Sequence, residues 1–412
     1  GVAMPHHSER HRVGLRGSSD IFAGGNASEA GVDLVDVASH IRNEVILSMK
    51  LTVPVQDLLD GLRKVLSVVS SRSTIPILSN VLLTADEGSL SLTTTDLEVS
   101  IRTNMTAMVE EQGETTLPAK TLGQIVSSLP NGDVLLQTDE NRTTTIDCNR
   151  AHFSIMGMNP SEFPRDGDFQ EDLQLTLSRT YLGKTLRKIS YATSSDQTRY
   201  ILNGILLSVK EGSFTCVATD GRRLAMVEKS MAGAEPSMDG DAVLPAKAVT
   251  ELQKLLDGEG DVTVRISDSR AAFEMAETSV TTKLVEGNYP NYRQVIPGSF
   301  ERSVSIPRES FSEVLNRVSV VLADSGASVK FELESGLLEL SASSSEIGEA
   351  KEPVDVSYEG EPLKISFNPG FLGAPLRFLD CDEMLLRFND QYKPVVLLGD
   401  EGFLYVIMPM RN

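Results

Sequence analysis

Apolar residues along this chain alternate with polar ones in short runs, then fall three and four apart, so the pattern switches between strand and helix periods. Ser89-Leu90-Ser91-Leu92-Thr93 reads as a strand with one buried face. Amphipathic stretches interrupt such strands at about 55–70 and 120–129, again at 178–192 and 247–256, and at 308–321 and 369–379. Pro118, Pro245 and Pro307 stand at the helix starts, where a missing N–H costs nothing.

The order of these signals repeats. Leu62-Arg63-Lys64-Val65 recurs as Leu186-Arg187-Lys188-Ile189 and, more loosely, as Leu315-Asn316-Arg317-Val318. Leu117-Pro118-Ala119-Lys120 recurs as Leu244-Pro245-Ala246-Lys247 and decays to Phe367-Asn368-Pro369-Gly370. Thr95-Asp96 matches Thr219-Asp220 and Ser343-Ser344, and Phe163-Pro164 matches Tyr289-Pro290. A period of roughly 125 residues is that of a small domain rather than a solenoid turn. The pattern predicts three tandem α+β domains, 49–167, 168–298 and 299–412. Each holds two helices and about eight mostly antiparallel strands, with the helices gathered on one side. Residues 1–48 match no part of the repeat and hold four of the five histidines. They read as a disordered leader or N-terminal extension, with a short helix near 32–45.

Composition narrows the chemistry. No apolar run reaches the length of a membrane span, and three scattered cysteines point to a reducing compartment, the cytoplasm. His152 is the one histidine after residue 48, so histidine-based catalysis or metal binding has little to work with, and no phosphate-binding G-x-x-x-x-G-K-[ST] is present. The acidic run Asp166, Asp168, Glu171 and Asp172 lacks calcium-loop spacing and reads as a solvated linker. These features predict no enzyme, no metal and no cofactor.

The net charge of −20 argues against non-specific attraction to nucleic acid by the molecule as a whole. The basic residues are segregated, however. The first helices carry Arg63, Lys64, Lys184, Arg187, Lys188, Arg308 and Arg317, and the second helices Lys120, Lys247, Lys254 and Arg377. Aligned in three copies, they predict one positive face that meets phosphates without reading sequence. Two readings stay open beside it: solvated helix faces, and a protein-interaction scaffold that never encircles DNA.

Several phrases carry a resemblance over about nine-tenths of the chain. They are Arg72-Ser73-Thr74-Ile75-Pro76-Ile77-Leu78, Arg199-Tyr200-Ile201-Leu202-Asn203-Gly204, Ala218-Thr219-Asp220-Gly221-Arg222-Arg223-Leu224-Ala225, Asn288-Tyr289-Pro290-Asn291-Tyr292 and the ending Tyr405-Val406-Ile407-Met408-Pro409-Met410-Arg411. In this order they resemble the bacterial DNA polymerase III β subunit family, the sliding clamps. The resemblance implies three clamp domains and a head-to-tail homodimer, closed as a six-domain ring around double-stranded DNA. Phe153 and Ile155 of one subunit would then meet Val320 and Val321 of the other. Arg72, Arg199 and Tyr200 would lie on loops near DNA. A groove lined by Leu202, Thr219, Gly221, Arg223, Leu224, Pro290, Val295, Asn368, Phe371, Val406, Met408, Pro409, Met410 and Arg411 would take short peptides. Those peptides, a Gln followed by Leu and Phe-like residues, would come from the polymerase III catalytic subunit, the clamp loader, other polymerases and repair proteins. Gln294, Gly326 and Asn412 depart from the family pattern, which predicts altered partner preference.

Overall fold

The computed structural model describes residues 48–70, 73–167, 170–231, 239–322 and 327–411. Arg72, Asp168, Gly326, Asn412 and the leader as far as residue 47 lie outside the described residues. Among those described are 25 strands and six α-helices, two in each copy of the repeat. The helices are α1 (Val55–Val65), α2 (Ala119–Ser128), α3 (Arg179–Ile189), α4 (Ala246–Leu255), α5 (Arg308–Ser319) and α6 (Pro369–Leu376).

Local sequence explains their limits. α1 buries Val55, Leu58, Leu62 and Val65, one stripe at helical spacing, with Asp57 in its first turn and Arg63 and Lys64 in its last, as the helix dipole favours. Proline occupies the N-cap of α1, α2, α4 and α5, while Ser178 and Asn368 cap α3 and α6 with side-chain oxygens. Four helices are shorter than the pattern predicts. α1 and α3 give way to 3₁₀ turns at Leu66–Val68 and Ser190–Ala192. α5 stops at Ser319, and α6 stops at Leu376, its last turn weakened by Pro375, which has no N–H to give Phe371. The first copy has nine strands rather than eight, the extra one being Met108–Glu111 on a sheet edge.

The copies are joined sheet to sheet. Each contributes two half-sheets. The second half-sheet of copy one and the first of copy two merge where Thr278–Lys283 pairs antiparallel with Val99–Thr106, Val280 opposite Ile101. Copies two and three merge in the same way through Arg223–Ser230 and Phe403–Ile407, Ala225 opposite Tyr405. Two eight-stranded sheets result, leaving a five-stranded sheet in copy one and a four-stranded sheet in copy three. Ala151–Met156 is an edge of the former and Gly348–Asp355 an edge of the latter. One continuous core lies between helices and sheets through all three copies. A second apolar cluster, with Leu206, Val217, Leu224, Met226, Val396 and Val406, covers the helix-free face of the sheet joining copies two and three.

Candidate functional sites

The helix-side cations divide into two groups. Lys64 and Lys120 make no ion pair among the described residues, and Lys120 is exposed. Arg187 donates to the carbonyl of Gln253 at 3.3 Å, and Arg63 pairs with Asp60 at 3.2 Å within α1. Lys184, Lys188 and Lys247 tie neighbouring copies together, while Arg317 is paired within copy three. Lys184 reaches Asp380 at 3.1 Å, and Lys188 pairs with Asp400, so α3 is tied to copy three. Lys247 pairs with Asp96, and Glu251 accepts a hydrogen bond from Ser67, so α4 is tied to copy one. Arg317 donates to Glu352 at 2.8 Å and lies 3.5 Å from Glu313, tying α5 to the edge strand Gly348–Asp355.

Lys188 and Asp400 are 13% and 14% exposed, so their pair is close to fully desolvated. Burial works against the Asp400 carboxylate. The Lys188 ammonium and the N–H groups of Asp380 and Cys381 outweigh that penalty and hold its pKa below 3.8.

At one end of the second junction, on the helix-bearing face that Arg223 shares with Ala225 and Val227, several predicted groove residues gather around Arg223. Its Nε lies 3.1 Å from Asp220, its Nη2 donates to the Tyr191 carbonyl at 2.6 Å, and its guanidinium sits 4.4 Å from the centre of the Phe371 ring. Thr219 donates to the Arg223 carbonyl at 2.6 Å, closing the turn in which Gly221 takes φ +84°. This left-handed backbone favours glycine; a Cβ there would meet only the flexible end of Arg199, at 3.0 Å. Leu202, Leu224 and Val406 are buried, with Leu224 directly opposite Val406 across the seam. Asn368 caps α6 by accepting from the Phe371 N–H at 3.2 Å. Met408 is 41% and Val295 48% exposed, so apolar surface is presented to solvent here. The Met408 N–H donates to the Arg222 carbonyl in the bend before Arg223–Ser230, and the Met410 N–H to the Ser366 carbonyl in the strand Leu363–Phe367.

Two hollows flank this cluster. One of about 380 Å³ is bounded by Ser194, Asp196, Arg199, Asp220, Arg223 and Phe371. Another of about 490 Å³ is bounded by Lys330, Lys364, Tyr392, Met410 and Arg411. Pro290 and Val295, on the linker, line neither of them. Tyr200 is 59% exposed, and Arg199 lies 3.8 Å from Asp196. At the far edges Phe153 and Ile155 are half-buried and Val321 likewise, whereas Val320 is 76% exposed.

Sequence reasoning passed over Tyr191, which stacks on Phe378 of copy three at 5.7 Å and lies under Arg223. The signal was present in the repeat. Tyr191 occupies the position of Ser67 in copy one and Val320 in copy three, the place where a first helix meets the neighbouring copy.

Three equivalent α+β copies, joined sheet to sheet and sharing one helix-bearing side, define a DNA-clamp subunit. Residues 49–166, 176–291 and 293–411 match the N-terminal, central and C-terminal domains of the DNA polymerase III beta subunit. The chain belongs to that family, the bacterial beta sliding clamps, which are non-enzymatic processivity factors of replication. It is 32% identical to the beta sliding clamp of Chlamydia muridarum over 363 residues, covering 88% of this chain and 99% of that one. Against the clamp of Caulobacter vibrioides the identity is 33% over 372 residues, covering 88% and 100%. Among solved structures, the DnaN sliding clamp of Bartonella birtlesii, bound to griselimycin, is 35% identical with a TM-score of 0.83, covering 89% of this chain and 100% of that chain. The Bacillus subtilis clamp is 28% identical with a TM-score of 0.84, covering 88% and 99%.

Proposed function

We propose that two copies of this chain close head to tail around duplex DNA and tether the replicative polymerase, the clamp loader and repair proteins through the second junction. One observation carries the ring: each copy uses equivalent strands to join the next. Thr278–Lys283 meets Val99–Thr106, and Phe403–Ile407 meets Arg223–Ser230. The equivalents left over are Ala151–Met156 and Gly348–Asp355, both sheet edges. Pairing them between two copies removes those edges and brings Phe153 opposite Ala350 by the register of the other two seams. Val320 then takes the role that Ser67 and Tyr191 have inside the chain, which accounts for its exposure.

DNA contact falls to the cations left free, Lys64 and Lys120 foremost, with Arg63, Arg187, Arg199 and Tyr200 beside them; Lys184, Lys188, Lys247 and Arg317 contribute field rather than direct phosphate bonds. Partner peptides lay apolar side chains on Val295, Met408 and Met410, with Arg223 and Arg411 at the polar end. No helix among the described residues is long and apolar enough to cross a membrane, and the proposed place of work is the cytoplasm.

A nicked-circle trap tests the ring. Loaded protein should stay on circular DNA in high salt and leave after linearisation. Equal loss from circle and line would favour the scaffold reading.

A further inference from the structure

The two junctions within the chain share one strand register but carry opposite chemistry on the helix-free face. At the second junction the row Val217, Met226, Leu404 and Leu398 crosses the seam, with the pair Leu224–Val406 beside it. This face is apolar and roofed by Tyr289 and Ile296 of the linker. At the first junction the corresponding row reads Thr93, Arg102, Ser279 and Glu274, and the corresponding pair is Ser100–Thr281. Phe163-Pro164 stands where Tyr289-Pro290 stands, and Phe163 packs on Ile77, Leu78 and Leu82, but the polar row beside this small cluster is left uncovered. A cavity of about 460 Å³ lies under residues 163–167. A second of about 180 Å³ continues past Ser100 and Thr281 to Leu97, so the two form one trough.

The charges in the trough decide what it takes. Arg165 is engaged by Glu114, with bonds of 3.1 and 2.6 Å. Arg265 bridges Glu274 at 2.7 Å and Glu171 at 2.9 Å. Arg102 differs. Its Nε donates to Ser91 at 2.8 Å, and it has no ion-pair partner among the described residues. The remaining guanidinium donors suit a carboxylate, and the hydroxyl residues Thr93 and Ser279 stand on either side in the same row. Asp166 at the rim disfavours a run of acids and limits the match to a single carboxylate.

We infer that the first junction is a second docking trough, for an extended peptide whose one aspartate or glutamate seats on Arg102. Its shape argument rests on the reading of the second junction as a peptide groove, since the shared register is what makes the trough strand-sized; its chemistry rests on Arg102. The volume is that of an ordinary ligand site.

The test titrates labelled, end-blocked Gly-Ser-Asp-Leu-Gly-Ser against the full chain, with its Asn counterpart and a Gln-Leu-Phe peptide as companions. Arg102→Gln and the double variant Met408→Ala, Met410→Ala are titrated in parallel. The Asp peptide should bind about tenfold more weakly to Arg102→Gln, and the Asn peptide more weakly by a similar factor to the unaltered chain. The Met pair should leave both unchanged while weakening the Gln-Leu-Phe peptide. Indifference to Arg102 and to the Asp-to-Asn change overturns the trough, as does displacement of the Asp peptide by Gln-Leu-Phe, or no binding at millimolar concentration. Should Arg102→Gln not fold, the Asp-against-Asn comparison on the unaltered chain still decides. Failure of the Gln-Leu-Phe peptide alone would sink the groove at the second junction and leave the Arg102 result in force.

Discussion

Asp400 is a carboxylate shut into a junction and satisfied three ways, by Lys188 and by the N–H groups of Asp380 and Cys381. Removing its charge strands an ammonium that is itself nearly buried, which costs about 1–3 kcal/mol. Asp400→Asn should therefore lower the thermal midpoint at neutral pH by a few degrees. The pH dependence has a definite sign. Because the folded chain depresses this pKa, the stabilisation is complete above 3.8 and is lost as pH falls through the lower folded value. Calorimetry at pH 7 and pH 3 should show the gap between the parent and Asp400→Asn shrinking at the lower pH; a constant gap would mean the bridge is not what the substitution removes. The sequence marks Lys188 as a basic residue on a helix, but nothing local points to a partner 212 positions away. Charge pairing across a junction is set by tertiary approach, so the acids that Lys184, Lys188 and Lys247 meet in the neighbouring copy are not legible from their helix faces.

At the scale of elements, the period-3.6 pattern locates the helices, and the period-two pattern shows strands that bury one face, such as Leu173–Ser178, whereas Gly204–Lys210 and Ser213–Thr219 are buried on both faces and lose the alternation. The ends are less legible. α6 ends one residue after Pro375, which has no N–H to hold its last turn, and α1 softens to a 3₁₀ turn at Leu66–Val68. The short strand Met108–Glu111 has only half-buried Val109 to signal it, so its sequence looks like a loop. The seams are invisible in single strands but readable from the repeat. In the proposed ring the contact falls at the end of α5, where Val320 is exposed just past the helix and Arg317 anchors the edge strand through Glu352. A charge placed at that position would be buried without a partner in the ring, at about 3 kcal/mol or roughly a hundredfold in dimer affinity. Val320→Asp should sediment as a monomer at concentrations where the parent is a dimer, with an unchanged thermal midpoint for the single chain. An undisturbed dimer would place the contact elsewhere.

For the whole molecule, the division of cations makes a prediction that charge counting does not. Lys64→Ala with Lys120→Ala should flatten the salt dependence of DNA association by about two counterions, whereas Lys184→Ala should change it little and instead loosen the second junction. Measuring the dissociation constant on short duplex between low and moderate salt separates the two; equal slopes for both variants would mean the paired lysines release their acids to DNA. The two internal seams also bear on mechanics. In the tethering proposed above, a polymerase that draws this protein along the duplex would pull at the second junction, and the tension would enter five consecutive backbone pairs between Arg223–Val227 and Phe403–Ile407. Those pairs belong to one folded chain, whereas the proposed seam between subunits joins two. The joint between chains would then sit away from the point where the load is applied, so a ring built this way could be towed without springing open and still be unlatched at its free edges.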